Sequence, residues 1–362
     1  MQRAARPSVR SRIIARSAFG LPLALAAAVT LAVASGLLTA APAAAQTHTR
    51  LPAHVYAPYY ETYLAPDTPS ISAIARESGA RYFTLAFLQT PKPGSCALDW
   101  NGTPSQPLGY YAADIAKLRA AGGDVIPSFG GYSADSTGTE IADSCTSVSK
   151  IAADYELVIR KLGVTRLDMD VEANSLTNNA GINRRNEAIA ITERWAAAHC
   201  IPLQIQYTLP VEPDGLETET SVLSNAIADG ARVSSVNIMV FDYYLPHEGV
   251  LNMSAEAISA ARSTHAELAA LYPGRSAAQL WTMIGMTLLP GVDDHPAHKE
   301  VTYLRDARRM LRFAEAHRMN FLSIWAIQRD NGGCLGPADS NTCSGISQGT
   351  WAFSHLLEPF TS

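Results

Sequence analysis

The chain has 362 residues, 47% of them hydrophobic and 17% charged, with a formal net charge of −5. That balance excludes a disordered, highly charged chain and leaves enough apolar mass for a sizeable core. The first fifty residues read differently from the rest. Arg3, Arg6, Arg10, Arg12 and Arg16 precede an uncharged Ala/Leu/Val run from Leu21 to Ala40, and Ala43-Ala44-Ala45 stands before Gln46. This is the pattern of a cleaved signal peptide over residues 1–45, followed by one folded domain over 46–362. An uncleaved membrane anchor is the competing reading of the run, which is long enough to span. Loss of five arginines and no acid takes the formal charge from −5 to −10. Such acidity argues against nucleic acid or an anionic membrane as partner. The expectation is a secreted protein, with the periplasm as the other destination, and no stable membrane association after cleavage.

In chain order, apolar β-rich runs alternate with amphipathic Ala/Leu/Arg stretches. The runs are His54 to Tyr60, Tyr82 to Gln89, Asp124 to Gly131, Arg166 to Glu172, Leu203 to Pro210, Ser234 to Tyr244, Leu280 to Pro290 and Phe321 to Asp330. Helical patterns lie between them, among them Tyr111 to Ala121, Val148 to Leu162, Arg184 to His199, Ala255 to Leu271 and Tyr303 to His317. Eight β-α units predict an α/β fold, a single (β/α)8 TIM barrel. An open doubly wound sheet is less favoured, because Tyr56-Ala57-Pro58-Tyr59-Tyr60 after the first strand carries no glycine loop for a phosphate. No cofactor and no metal are expected. In a barrel the chemistry sits at the strand C-termini, and the polar or aromatic candidates there are Tyr59, Ser128, Asp168 to Glu172, Gln206, Asp242, Tyr243 and Trp325.

The strongest signal is Leu167-Asp168-Met169-Asp170-Val171-Glu172. Side chains alternate along a strand, so Asp168, Asp170 and Glu172 share one face and Leu167, Met169 and Val171 the other. With the apolar set packed on the helices, the three acids point into the barrel. Successive same-face positions lie roughly 6.6 Å apart, so burial and repulsion raise the pKa of at least one acid. Glu172, nearest the open end, is best placed to donate that proton, as a glycosidase acid does. A metal site is the competing chemistry; the segment holds no histidine, although oxygen ligands alone would suit some ions.

These residues resemble family 18 glycoside hydrolases, the chitinase family, whose fourth strand carries D-x-x-D-x-D-x-E. Thr165-Arg166-Leu167-Asp168-Met169-Asp170-Val171-Glu172 matches its last three acids, with Thr165 at the first. Ser128-Phe129-Gly130-Gly131 is similar to the family's S-x-G-G, and Met239-Val240-Phe241-Asp242 to its M-x-Y-D, with Phe241 where the family has a tyrosine. Trp325 stands where the family places the floor of the sugar subsite. Tyr59, Thr208-Leu209-Pro210-Val211 and Asp242-Tyr243 resemble a bacterial branch of secreted chitinases.

The resemblance implies hydrolysis of β-1,4-linked N-acetylglucosamine polymers, with chitin or its oligosaccharides as partner and the protein a monomer. It implies a retaining, substrate-assisted route in which Glu172 is the acid, Asp170 holds the acetamido N–H and Asp168 shares a proton with Asp170. Tyr59, Gln206, Met239, Asp242, Tyr243 and Trp325 are the expected substrate contacts. Tyr243, two residues beyond Phe241 and so on its face, is the nearest phenol to stand in for the family's tyrosine. The alternatives are an endo-β-N-acetylglucosaminidase acting on glycan cores and a non-catalytic chitin-binding lectin. His247, His295 and His298 read as surface-loop histidines. Sequence separation favours the disulfides Cys96 with Cys145 and Cys334 with Cys343, leaving Cys200 on the opposite face as a buried free thiol.

Overall fold

The computed structural model describes residues 50–362 apart from 217–219, 246–248, 296–298 and 337–340. The expected signal peptide, His247 and His298 lie outside the described residues. The strands are β1 (Val55–Tyr56), β2 (Tyr59–Glu61), β3 (Tyr82–Gln89), β4 (Asp99–Trp100), β5 (Asp124–Gly130), β6 (Arg166–Asp170), β7 (Gln204–Pro210), β8 (Ser235–Met239), β9 (Ile284–Leu288), β10 (Gly291–Val292), β11 (Val301–Thr302) and β12 (Phe321–Ile324). The helices are α1 (Ile71–Ser78), α2 (Ala112–Ala120), α3 (Tyr132–Thr137), α4 (Ile141–Ser144), α5 (Val148–Leu162), α6 (Asn179–Ala198), α7 (Thr220–Ala228), α8 (Met253–Leu271), α9 (Ala277–Trp281), α10 (Leu304–His317) and α11 (Ala352–Leu357).

The principal sheet runs β1-β12-β9-β8-β7-β6-β5-β3-β2, every neighbour parallel. Because β1 and β2 are two halves of one segment, β1 pairing with β12 and β2 pairing with β3 close the sheet into the expected (β/α)8 barrel. Alternation along each strand sends Leu167, Met169, Ile205, Tyr207, Val236 and Ile238 outward into the apolar layer beneath the helices.

The lumen is layered. At its base Val55, Ile126 and Phe321 pack together, with the buried Arg166 guanidinium 5.9 Å above the Phe321 ring. Above them lies a fully buried polar layer that includes Ser128, Asp168, Gln206, Thr208 and Asn237. This is a packed core rather than a pore.

The strands stop earlier than periodicity predicts. β6 ends at Asp170, not Glu172, β8 at Met239, not Tyr244, and β12 at Ile324, not Asp330. The reason is local in two of these: β6 loses its ladder partner where β5 ends at Gly130, and the left-handed Asp242 (φ 57°) turns the chain beyond β8 out of the pleat. At the other end of a strand, Ala277–Trp281 is helix α9, entered through a capping box between Ser276 and Gln279, so β9 starts only at Ile284. α6 begins five residues before Arg184, at Asn179, where the Asn178 side chain accepts the Gly181 N–H. Among the described residues no helix is long and apolar enough to cross a membrane.

Cys96 bonds Cys145 and Cys334 bonds Cys343, as sequence separation suggests. Cys200 departs from expectation: it is exposed. It sits in the tight turn between α6 and β7 at φ 57°, where the backbone swings its side chain into solvent. The folded protein is therefore expected to take up iodoacetamide at Cys200 alone without denaturant, with both disulfides intact in the peptide map. Labelling of Cys200 only after unfolding would contradict its placement.

Candidate active site

The polar layer is organised around Asp168. Its Oδ2 accepts the Tyr59 hydroxyl at 2.9 Å and the Ser128 hydroxyl at 2.7 Å. Its Oδ1 accepts Gln206 Nε2 at 3.0 Å and the Thr208 hydroxyl at 2.7 Å. Burial raises this carboxyl above the usual carboxylate range, and the four donors hold that rise down. Tyr59 and Gln206, expected to touch substrate, are instead buried beneath the mouth as its supports. Gln206 also accepts Arg166 Nη1 at 3.4 Å, which anchors the layer to the barrel base.

One step up, Asp170 is buried and its Oδ1 has no hydrogen-bond partner. Burial, then Glu172, Asp168 and Asp135, push its carboxyl well above the usual range, and its hydrogen bond runs to Glu172. This differs from the expected sharing with Asp168, whose oxygens already accept two donors each. Glu172 is partly exposed at the mouth. Its carboxyl is raised to about 7, by burial first, held down by the Tyr132 N–H, lifted by Asp294 and lowered again by the Asp170 hydrogen bond.

The two glycines after Ser128 have a steric account. A Cβ on Gly130 would lie 2.2 Å from the Asp170 carbonyl oxygen, and one on Gly131 would lie 2.5 Å from the Phe87 ring. Both are left-handed, at φ 94° and 81°. They let β5 press against the acid strand and let Phe87 reach Trp325, which it stacks at 5.6 Å and 23°. Tyr59 meets the same indole edge-on at 5.4 Å. Trp325 is thus held on both sides while remaining partly exposed. Met239, on the lumen face two residues beyond Asn237, is also partly exposed at the mouth. The non-proline peptides Ala86–Phe87 and Trp325–Ala326 are cis.

Asp242 and Tyr243 part company. Asp242 lies at the mouth, whereas the Tyr243 ring is buried in the apolar layer, its ionisation opposed by burial and then by Glu300, Glu256 and Glu212. The chain turns at the left-handed Asp242, and Phe241 is buried in the same apolar layer as Tyr243, so neither ring faces the mouth openly. The exposed neighbouring phenol is Tyr244, whose hydroxyl lies 2.9 Å from His295 Nδ1. Glu300 pins the turn by accepting the Tyr243 and Tyr244 N–H groups at 3.1 and 2.8 Å.

Sequence reasoning also passed over Phe87, Tyr132 and Asp135. Tyr132 directly follows the glycine pair and was open to notice; Phe87 and Asp135 acquire their neighbours only through strand and helix packing. Asp242, Asp293, Asp294 and His295 bring ligand atoms within 4.8 Å of one another, a donor set that a divalent ion could use. Burial, then Asp293 and Asp294, pushes Asp242 up to about 10.

Stacked carboxylates of this kind, with the uppermost raised and open to the mouth, put the chain in the class of (β/α)8 glycoside hydrolases. Comparison with known proteins narrows the class. No family model matches the sequence. Over 319 residues it is 33% identical to a probable bifunctional chitinase/lysozyme of Escherichia coli K12, an alignment covering 86% of this chain and 35% of that protein. It is 34% identical to endochitinase 11 of Metarhizium anisopliae over 77% of this chain and 53% of that one. The chain thus spans only part of the length of either relative. The catalytic domain of a hyperthermophilic chitinase from Pyrococcus furiosus matches at a TM-score of 0.75 and 30% identity, over 86% of this chain and 96% of that one. A family GH18 chitinase from Chromobacterium violaceum shares the fold at a TM-score of 0.52 and 11% identity. The chain belongs to the family 18 chitinases.

Gly130→Ala should cost about 3 kcal/mol or more in urea unfolding, from strain plus the clash with β6. Gly138→Ala, also left-handed but with nothing within 4 Å of the new Cβ, should cost only about 1 to 2 kcal/mol. Equal losses would mean that backbone strain alone, and not contact with Asp170, requires Gly130.

Proposed function

We propose that this protein is a secreted monomeric chitinase of a bacterial branch, hydrolysing β-1,4-linked N-acetylglucosamine polymers by a retaining, substrate-assisted mechanism. The observation that carries this reading is the ladder: Asp168 saturated by donors at the bottom, Asp170 buried in the middle, and Glu172 raised to about 7 at the mouth, where Trp325 is also partly exposed. Trp325 offers an apolar face for a sugar ring.

Glu172 and Asp170 rise from one strand, so Asp170 lies beneath the scissile bond rather than across it, where a protein nucleophile or a water-activating base would stand. The substrate's own N-acetyl oxygen takes the nucleophile's part. Glu172 protonates the leaving oxygen as the acetamido oxygen closes on the anomeric carbon. Asp170 accepts the acetamido N–H and stabilises the positive ring. Ionised Glu172 then draws a proton from water as that water opens the ring from the original face, which gives net retention. Asp242 with Tyr244 orients the acetamido group, the part first expected of Tyr243 or Asp242. An intact Glu172 counts against the lectin alternative. Export rests on the basic, Ala-rich start of the chain, and two disulfides suit an oxidising compartment.

Glu172→Gln keeps volume but loses the titrating proton, so turnover of a chromogenic chitobioside should fall by roughly a hundred to ten-thousand-fold while oligosaccharide binding persists. In the wild type the acid must be protonated, so kcat/KM should decline as pH rises through about 7. Proton NMR of the first product should show the β anomer; the α anomer would rule out this mechanism.

A further inference from the structure

The side chain that fixes the backbone of the acid comes from outside its strand. Asp135 lies in the first turn of α3, fully buried, and its Oδ2 accepts the Glu172 N–H at 2.5 Å. The β5–β6 ladder ends at the Gly130–Asp170 pair, where Gly131 donates to the Asp170 carbonyl at 3.1 Å. Beyond that pair β5 turns into α3, and the Asp135 carboxylate becomes the acceptor that a strand carbonyl would otherwise supply. Glu172 therefore keeps extended backbone, at φ −136° and ψ 179°, one residue before the left-handed Ala173. The other oxygen of Asp135 is buried with no hydrogen-bond partner, 3.1 Å from where a Gly130 Cβ would stand.

An unpartnered buried carboxylate oxygen is costly and needs a counter-charge nearby. That charge is Arg185 of α6, buried and paired through Nη2 with Glu140 Oε2 at 3.0 Å. The ionisable groups around this point are Glu140 and Asp143 from the α4 region, Tyr155 of α5, Arg185, the acids Asp168 and Asp170 of β6, Glu172, and Asp294 across the mouth. Burial and then Glu140 raise the Asp135 carboxyl, against Arg185 and the Glu172 N–H.

We propose that Asp135 is a positioning residue for the general acid: it clamps the Glu172 backbone and shares the negative charge of the ladder, so that the Asp170–Glu172 pair keeps its proton. This rests on the chitinase reading above. Asp135→Asn retains an oxygen to accept the Glu172 N–H but carries no charge; Asp135→Ala loses both.

The test is kcat and KM on a chitobioside from pH 4 to 9 for wild type and both variants, with melting temperatures. Asp135→Asn should stay within about tenfold of wild-type kcat at its optimum, with the basic limb of kcat/KM moved about half a pH unit or more toward acid. Asp135→Ala should lose about a hundredfold in kcat at KM within about threefold, the signature of a displaced acid. A basic limb unmoved in Asp135→Asn, or full kcat in Asp135→Ala, overturns the proposal. If Asp135→Ala does not fold, the limb of Asp135→Asn decides alone. A wild type inactive on chitooligosaccharides would instead overturn the chitinase reading.

Discussion

A carboxylate sealed inside a barrel is costly unless the protein replaces its water, and four side chains do this for Asp168. They come from β2, β5 and β7, and hydrogen bonds to a charged group contribute about 1.5 to 3 kcal/mol each. The layer extends through Asn237, which donates to the Thr208 hydroxyl at 3.0 Å and the Thr287 hydroxyl at 2.7 Å, tying β7, β8 and β9 together. Because these donors occupy both oxygens of Asp168, Asp170 turns its hydrogen bond upward to Glu172. The way the lowest acid is satisfied thus sets which neighbour the middle acid bonds.

Much of this was legible in the sequence, and for a physical reason. Alternating acids on a strand whose opposite face is apolar can point only into the lumen, and repeated β-α periodicity can close only in a few ways. Height within the lumen was not legible. Parity assigns a face, but strand stagger decides that Gln206 pairs level with Asp168, and so serves the acid from below rather than a sugar from above. Tyr59 reaches the same level from β2.

Exposure beyond the strand end was not legible either. Tyr243 is expected at the mouth, yet it lies with Phe241 in the apolar layer, and Tyr244 is the exposed phenol. Cys200 was misplaced for a related reason: its turn sets its direction, and no periodicity describes a turn. Asp135 illustrates the remaining gap. A lone aspartate in a short helix carries no pattern, and its importance arises only when β5 ends beside Glu172.

The plugged base of the barrel bears on how the ladder exchanges hydrogen with water. Val55, Ile126 and Phe321 close the lower end, beneath the Arg166 and Asp168 layer. The acids therefore communicate with bulk solvent through the mouth alone. On the proposed mechanism, a sugar chain lying across that mouth would cut the route, so the hydrogen delivered to the leaving oxygen is one the acid already carried. Because the ring-opening water restores that hydrogen within the turnover, the isotopic make-up of the water used in one cycle is carried into the new hydroxyl released in the next.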